Sequence, residues 1–504
     1  PSSAFRPRRL IESSSFLRLR ERGPCRGLLV MKVTSFIRVG AELEPVVVEL
    51  TLAPGLPQFH FIGLPDAALK ESALRIRTAI REQGFQLPQA HQILVNLTPT
   101  HLRKSSRGMD LAIAAALLWE TEQIPRPEEA MPILYGELTL KGEVTAPSDI
   151  DELDGGLRVV TGVHEDPLSV ATWRLPELRS LAVTPEWVSA DGAIEWRRPA
   201  TTITELSSSA AELAAVVAVG EHSLLLAGPP GSGKSTLASA IPTWLEEPGS
   251  SEFRATRKYW RRAGLELTWR PVLRPHHSIT PLAMIGGGTS LWPGEITRAH
   301  GGVLIMDELL EFHHVIQESL REPVESGVIS LVRAGGVRTY PARILLLATT
   351  NLCQCGKFVL EGNMGGCRCV KYVRRRYLTR LTGPFVDRFA LFATTENWVK
   401  EKNVSVVGIE SRVRDAIAFR REARGQTVPN ARVEADLIES SLTKFQSKHL
   451  LESGMHSRRR REAVLRVART LADLRLDSSI ENQDIDSALR LSVRTHRSLE
   501  DWVE

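Results

Sequence analysis

Apolar and polar residues follow two kinds of spacing in residues 31–165, and the two kinds alternate. The segments PVVVEL and QILVNL are short and apolar, which predicts buried strands. Between them a helical spacing of apolar residues begins at Asp66, a good N-cap residue, and stops at Gly84. A second helix is predicted over MDLAIAAALLWE. These residues therefore predict an N-terminal domain of strands and helices.

The pattern changes further along the chain. Residues 166–210 mix short apolar runs with Pro, Ser and Thr, which predicts a poorly packed remainder and a linker. Strand and helix patterns alternate again over 211–395, as in an α/β core, and residues 396–504 are almost wholly helical in pattern. Residues 1–30 are rich in Arg but lack a long amphipathic run, so we expect a disordered extension rather than an organellar leader.

Composition limits the class of protein. A chain of 504 residues holds about three domains, and 42% hydrophobic with 24% charged residues is typical of a globular protein. No run approaches the roughly 18 apolar residues of a membrane span, so we expect a cytoplasmic protein without a membrane partner. The net charge of +5 is too small to prove nucleic-acid binding, because scattered solvated charge gives the same figure.

The strongest chemical signal is the segment HSLLLAGPPGSGKSTLASAI. A buried strand is followed by a glycine-rich loop of the form G-x-x-x-x-G-K-[ST] and then by a helix, which predicts a phosphate-binding loop rather than a chance glycine-rich turn. Such a loop turns backbone N–H groups toward phosphate oxygens, with a lysine at the β- and γ-phosphates and a hydroxyl on Mg²⁺. The residues expected at ATP are Gly228, Pro229, Pro230, Gly231, Ser232, Gly233, Lys234, Ser235 and Thr236.

Two further strands end in polar residues. The strand in GGVLIMDELLEF ends at Asp307 and Glu308, where the first acid is expected to hold Mg²⁺ with Ser235 and the second to polarise the attacking water. Two acids after an apolar strand are common by themselves, and they become informative at this distance after a phosphate-binding loop. The strand RILLLATTN ends at Asn351, which either orients the water or is an ordinary turn residue.

Four of the five cysteines lie close together in the sequence. They form two C-x-C pairs separated by eleven residues, at Cys353, Cys355, Cys367 and Cys369. Four thiolates make a tetrahedral Zn²⁺ site that fixes a loop, and the alternative is free or redox-active thiols in a reducing compartment.

The order of several motifs resembles that of the ComM/YifB family of magnesium-chelatase-like AAA+ ATPases. The resemblance extends from Met31 to about residue 490, and it rests on GPPGSGKST, RPHHSITPLAMIGGG, PGEITRAHGGVLIMDELLEF, NLCQCG, GPFVDRF and LRVARTLADL. It implies an N-terminal domain similar to the Lon protease domain (an S5-like α+β fold), a P-loop AAA+ core and a helical lid. It also implies a homo-hexamer on DNA with helicase activity, such as branch migration in natural transformation.

The resemblance adds two arginines. Arg388 in VDRFAL falls where the family has the finger that reaches a neighbouring subunit's γ-phosphate, and Arg459 falls at the sensor-2 arginine of the lid, within the run Arg458–Arg461. The alternatives are a structural surface arginine and a solvated basic helix start. This chain departs from the family at Ala390 and at NLCQCG, and residues 151–222 and 250–270 match poorly.

A Lon-type protease needs a serine just before the helix MDLAIAAALL and a lysine later on. Gly108 stands at that place, while Ser105 and Ser106 come slightly too early and no matching lysine is evident. The N-terminal domain is therefore expected to be a non-catalytic scaffold.

The segment VISLVRAGGVRTY predicts a β-hairpin with Arg333 and Arg338 near its tip. In a ring, such a hairpin would place cations against DNA phosphates; the alternative is surface arginine on a structural hairpin. The first functional hypothesis is thus an ATP-driven DNA motor. The others are a chelatase-like ATPase that remodels a protein partner and a weakly hydrolysing nucleotide-binding regulator.

Overall fold

The structure is a computed structural model. The residues it describes are 30–39, 42–62, 67–99, 107–127, 131–153, 156–164, 168, 170–189, 196–201, 203–288, 291–333, 336–359, 366–381, 385–452 and 457–494. The predicted extension 1–30 lies outside them except for Val30, and so do Ser105 and Ser106.

The N-terminal unit combines two four-stranded sheets, an antiparallel pair formed by β6 and β7, and two α-helices. Its elements are β1 Met31–Val39, β2 Glu42–Pro54, β3 Phe59–Ile62, α1 Ala67–Glu82, β4 His91–Thr98, α2 Asp110–Glu120, β5 Ile133–Leu134, β6 Glu137–Leu138, β7 Val144–Thr145, β8 Arg158–Gly162, β9 Ala171–Leu175 and β10 Trp187–Val188. The first sheet has the order β1-β2-β4-β3, and only β3 and β4 in it are parallel. Helix α2 is buried from Asp110 to Trp119, as its apolar sequence predicts.

Part of the segment that was expected to pack poorly belongs to the core of this unit. Strand β9 pairs in parallel with β8 in the second sheet, whose order is β10-β9-β8-β5. Trp173, Leu175, Leu178 and Leu181 are buried together with residues of α2. The apolar runs here are short and interrupted by Pro176, so they show no period by which a strand could be identified. The expectation was wrong for residues 171–182.

The next part of the chain is built on one parallel sheet. Its elements are β11 Glu205–Ser207, α3 Ser208–Gly220, β12 Leu224–Ala227, α4 Lys234–Ala240, α5 Ser250–Arg262, β13 Val272–Leu273, α6 Pro281–Ile285, β14 Gly286–Gly287, β15 Trp292–Pro293, α7 Glu295–Arg298, β16 Val303–Met306, α8 His314–Ser319, α9 Arg321–Ser326, β17 Val328–Arg333, β18 Gly336–Pro341, β19 Leu345–Thr350, α10 Lys371–Leu378, β20 Leu391–Thr394 and β21 Asn403–Ser405. Five of the strands form a sheet of order β13-β16-β19-β12-β20, and all of its pairings are parallel.

Strands β12 and β16 are apolar and buried at every position because both faces of the sheet are covered. Alternate residues serve different clusters: Leu224 and Leu226 pack with α3 and the C-terminal helices, whereas Leu225 and Ala227 pack with the residues around Phe312. Since parallel strands all end at one edge, the residues that follow β12, β16 and β19 meet there.

The described chain ends in a π-helical segment, Arg490–Arg494, which follows five α-helices. They are α11 Val406–Glu422, α12 Ala435–Glu439, α13 Lys444–Glu452, α14 Arg458–Leu474 and α15 Asn482–Leu489. Residues of α11 and α14 share a buried cluster with α3. Among the described residues, no helix has the length and apolarity that crossing a membrane requires.

Helix α5, which lies in a segment that departs from the family, touches the N-terminal unit through charged side chains. Lys258 and Tyr259 both contact Glu42, and Arg261 pairs with Asp151. Arg262 Nε donates to Glu152 Oε1 at 3.1 Å, and the Glu152 side chain is only 7% exposed. Basic residues on one side and acids on the other thus hold the two parts together.

Candidate nucleotide site

The loop after β12 has the geometry that its glycines permit. Gly233, at φ 87°, caps the start of α4 in a left-handed conformation that other residues rarely adopt. A Cβ on Gly228 would lie 2.1 Å from Thr395 Oγ1, so only glycine fits beside the end of β20. Ser232 Oγ donates to the carbonyl of Pro229 at 2.8 Å, which closes the loop. Pro230, Gly231 and Thr236 are exposed around it.

Lys234 is held inside this loop. Its Nζ donates to the carbonyls of Gly228 at 2.8 Å and Pro229 at 2.7 Å and lies 3.4 Å from Asn351 Oδ1. Burial lowers the pKa of Lys234, while the charges of Asp307 and Glu308 act in the opposite direction. The ammonium is therefore a cation inside a ring of backbone groups, where an anion with several oxygens finds both charge and N–H donors.

Ser235 and Asp307 meet across the edge of the sheet. Ser235 Oγ donates to Asp307 Oδ1 at 2.9 Å, and Thr349 at the end of β19 donates to the same oxygen. Arg274 Nη2 lies 3.2 Å from Asp307 Oδ2. A hydroxyl beside a carboxylate is a hard-oxygen pair that suits Mg²⁺, so these residues fit the ion that a P-loop protein requires.

Glu308 has a strained backbone and an accessible side chain. Its φ is 57°, unusual for a residue other than glycine, and its N–H donates to Thr349 Oγ1 at 3.1 Å. The side chain is 55% exposed, and His277 Nδ1 lies 3.8 Å from its carboxylate. A base for water needs this kind of access, because it must reach solvent at the phosphate.

Arg274, His277 and Thr349 lie at the site although no role is evident for them in the sequence alone. The first two stand in the segment RPHHSITPLAMIGGG, whose match to the family was the only signal, and Thr349 is one of two threonines before Asn351. Their positions depend on how β13, β16 and β19 lie side by side, which a single sequence does not reveal.

A cavity of about 240 Å³ opens near the phosphate loop, between α3, the end of β20 and the last described residues. Trp398 lines it, and the Trp398 ring lies 4.0 Å from the place that a Cβ on Gly233 would occupy. Leu213, Phe392 and Asn397 contribute further walls. Ser209, Glu401 and Arg490 also line it, so its walls are about half apolar and half polar. The aromatic ring of Trp398 beside the phosphate loop makes this cavity the candidate site for a heterocyclic base.

Arg388 lies at the opposite end of β12 from the phosphate loop. Its carbonyl accepts a hydrogen bond from Ser223 Oγ at 2.9 Å, and Ser223 directly precedes the strand that Gly228 follows. Five residues of extended chain separate these ends by roughly 16 Å. Arg388 Nη2 pairs with Glu325 at 3.3 Å, and its side chain is 12% exposed. Arg459, at the start of α14, pairs with the same carboxylate.

The four cysteines come together as a compact group. Their Sγ atoms all lie within 4.8 Å of one another, and Cys353 Sγ is 3.3 Å from Cys355 and 3.8 Å from Cys367. Four sulfurs around a tetrahedral zinc ion at about 2.3 Å would be roughly 3.8 Å apart, so the thiols fit zinc. The backbone N–H of Lys357 helps to lower the pKa of Cys355 to about 6, which favours the thiolate.

The hairpin is present, with β17 and β18 paired antiparallel from Val328 to Pro341. Arg338 is not directed to open solvent: it pairs with Glu44 of the N-terminal unit at 2.5 Å and is 26% exposed. The side chain of Arg333 lies outside the described residues. Within the N-terminal unit, a Cβ on Gly108 would lie 2.4 Å from Tyr135 Cε2, so there is no room for a serine side chain at that position.

Comparison with known proteins gives a consistent result over most of the chain. Family descriptions match in three consecutive stretches: "Subunit ChlI of Mg-chelatase" over residues 48–165, "Magnesium chelatase, subunit ChlI" over 204–403, and "Magnesium chelatase, subunit ChlI C-terminal" over 404–492.

Relatives match along nearly their whole length. The chain is 33% identical over 485 residues to the uncharacterized protein YifB of Salmonella typhimurium, covering 90% of this chain and 94% of that protein. It is 34% identical over 496 residues to an uncharacterized protein of Mycobacterium tuberculosis, covering 89% and 96%. The competence protein ComM of Haemophilus influenzae is 29% identical over 497 residues, covering 91% and 96%. The expected resemblance is confirmed, and the chain belongs to the ComM/YifB family of magnesium-chelatase-like AAA+ proteins.

Proposed function

We propose that this protein hydrolyses ATP in a ring of identical subunits and uses the reaction to move DNA. The observation that carries the ATPase assignment is the meeting of Lys234, Ser235 and Asp307 at one edge of the parallel sheet, with Ser235 Oγ and Asp307 Oδ1 2.9 Å apart. Helix α4, which follows β12, carries Lys234 and Ser235, and Asp307 directly follows β16, as a P-loop ATPase requires.

Each residue has a task at the phosphates. Lys234 exchanges its two carbonyl partners for β- and γ-phosphate oxygens, and backbone N–H groups of residues 231–235 bind the same oxygens. Ser235 and Asp307 hold Mg²⁺, which neutralises phosphate charge when it is bound. Glu308 accepts the proton of the attacking water, and Asn351, next to Lys234, orients that water. Trp398 lies where the adenine ring of ATP would pack.

Arg388 is proposed to serve the ATP of a neighbouring subunit. It lies roughly 16 Å from its own phosphate loop along β12, too far for an arginine side chain to bridge. Reaching a neighbour requires release from Glu325, and an arginine that becomes available only on assembly makes hydrolysis depend on the ring. Arg459 shares this carboxylate, so we propose that the sensor-2 position and the finger are released together.

DNA is proposed as the moved partner because one relative bears the name of a competence protein, and competence is the uptake of DNA. The N-terminal unit is proposed to be a Lon-like, non-catalytic scaffold, and helices α11–α15 a lid. Arg338 supports a DNA role only if its pair with Glu44 opens. The chelatase-like alternative, in which a protein partner is remodelled, predicts hydrolysis that is insensitive to DNA.

The decisive experiment is the steady-state ATPase rate with Mg²⁺, measured without DNA and with single-stranded, forked and four-way DNA. A DNA motor should hydrolyse faster on at least one of these substrates, and the increase should fall steeply with salt. Hydrolysis that DNA leaves unchanged would reject the motor and favour the protein-remodelling alternative. The absence of hydrolysis with normal ATP binding would favour a nucleotide-binding regulator.

A further inference from the structure

Helix α10 follows the cysteine cluster directly and is strongly basic. Residues 368–380 read RCVKYVRRRYLTR and contain no acid. Their cations are Arg368, Lys371, Arg374, Arg375, Arg376 and Arg380. This short segment thus carries more positive charge than the +5 of the whole chain, so positive charge is concentrated here rather than scattered.

Most of these cations are exposed. Lys371, Arg375 and Arg376 on α10 and Arg368 just before it are exposed, and they form no ion pair with any acid that the structure describes. Surface arginines elsewhere in the described chain commonly have such partners, for example Arg343 with Glu252. A cluster of like charges is unfavourable by itself, and an anionic ligand would relieve the repulsion.

The other side of the helix is fixed to the protein. Leu378 is buried, Arg374 stacks on Phe358 with its guanidinium 4.7 Å from the ring centroid, and Tyr377 donates to Glu311 at 3.3 Å. Phe358 N donates in turn to Cys353 Sγ at 3.3 Å, which ties the helix to the cysteine cluster. The basic face is therefore presented on a supported element rather than on a loose tail.

An aromatic side chain stands among the cations. Tyr372 is 72% exposed, and Val370 beside it is 65% exposed. A basic face that is only solvated does not require an exposed aromatic residue. In a single-strand binding site, by contrast, a nucleobase stacks on an aromatic ring and neighbouring cations bind the backbone phosphates. An acidic protein partner would match the charge but gain less from the ring.

We propose that α10 and Arg368 form a contact surface for single-stranded nucleic acid, with Tyr372 stacking on a base and Lys371, Arg375 and Arg376 binding phosphates. This inference rests on the proposed DNA motor. It places the DNA strand outside the hairpin of β17 and β18, whose Arg338 is already paired with Glu44. Readout is expected to be independent of sequence, because stacking and phosphate contacts do not distinguish bases.

The test measures binding of dye-labelled oligothymidylate to the full chain by fluorescence anisotropy over a range of salt concentrations. Arg375→Ala with Arg376→Ala should weaken binding about tenfold or more and reduce the slope of log affinity against log salt by about 1.4, since each single-strand contact contributes about 0.7. Tyr372→Ala should weaken binding about fivefold or more, and Tyr372→Phe should retain it because the ring remains.

The control removes two exposed arginines of α11, Arg412→Ala with Arg414→Ala, and should bind as the wild type does. Equal losses in both double variants would show a general charge effect and overturn the site. If the wild type binds and the α10 variants bind with the same affinity, this surface alone is rejected. If the wild type binds no DNA, the proposed DNA motor is rejected as well. Loss of oligomer mass in the α10 variants would make the helix an interface between copies of the chain instead.

Discussion

Arg388 forms an ion pair with Glu325 at 3.3 Å inside its own subunit. The same carboxylate also holds Arg459 from α14, so one acid connects the edge of the parallel sheet with the C-terminal helices. An arginine restrained in this way must change partner before it can act on a neighbour. The pair therefore provides a way to separate the proposed catalytic role of Arg388 from a structural one.

Mixed subunits should reveal whether Arg388 acts across an interface. Arg388→Ala subunits keep a good phosphate loop and Lys234→Ala subunits keep a good finger, so each alone should lose about 10³-fold or more in hydrolysis, while the mixture should partly recover. Glu325→Gln breaks the same ion pair but keeps the arginine, and it should retain hydrolysis. A mixture that stays inactive although mixed oligomers form would exclude a finger acting in trans.

The nucleotide site should separate binding from hydrolysis. Lys234→Ala removes a buried cation and should weaken ATP binding by about 3 kcal/mol or more, as measured by calorimetry. Glu308→Gln should bind ATP normally and lower the hydrolysis rate about 10²- to 10⁴-fold, because only the proton acceptor is lost. Lys444→Ala is the control for Lys234→Ala and Glu311→Gln the control for Glu308→Gln, and both should bind and hydrolyse ATP as the wild type does. Undiminished ATP affinity in the Lys234 variant would refute the phosphate-loop assignment.

The cysteine cluster should hold one zinc ion per chain. Metal analysis of the purified, reduced protein should find about one Zn per chain and none after Cys353→Ser with Cys367→Ser. A chelator should lower the unfolding temperature of the wild type but not of that variant, since the metal binds only the folded site. Cys25→Ser removes the fifth cysteine, which lies more than 300 positions earlier in the sequence, and should change neither result. A wild type without metal would indicate free thiols.

The contact between α5 and the N-terminal unit should depend on pH through Glu152. Burial raises the pKa of this carboxyl to about 7, although Arg38 opposes the shift. Because the folded pKa lies above the unfolded value of 4.5, this group's contribution to stability is complete below 4.5 and is lost as pH rises through 7.

Glu152→Gln mimics the protonated form at every pH. The wild type should therefore lose stability relative to this variant between pH 5 and 8, by about 1–3 kcal/mol in unfolding experiments. Glu186→Gln changes an exposed acid, and its free energy of unfolding should vary with pH as that of the wild type does. A constant difference between wild type and Glu152→Gln across this range would show that the carboxyl does not titrate there.

What the sequence predicted well was local in origin. The local sequence determines the conformation of the loop from Gly228 to Ser235, because its glycines permit backbone angles that other residues rarely adopt. The flanking strand and helix fix the two ends of the loop. The hairpin around Gly336 is local in the same sense. The close approach of Ser235 to Asp307 also followed, since the loop and helix that carry Ser235 follow β12 and Asp307 follows β16, at the same edge of the parallel sheet.

What the sequence missed depended on distant partners. Strand β9 had no periodic pattern, because its burial comes from α2 rather than from its own spacing. Arg274 reaches Asp307 only because β13 lies beside β16, and Arg338 is neutralised by Glu44, 294 residues away. The sequence around each arginine does not indicate its partner, so the exposure and the ion pairs of Arg274 and Arg338 could be learned only from the fold.

Strand β12 gives each subunit two unlike ends, with the phosphate loop at one and Arg388 at the other. If the arginine serves the next subunit, the two surfaces that meet are different, and a two-fold dimer cannot satisfy both of its sites at one shared patch. Head-to-tail contacts of this kind either close into a cycle or continue as a filament, according to the rotation between neighbours. A closed cycle leaves no end subunit with an unused loop, whereas any open assembly would contain one site that cannot turn over.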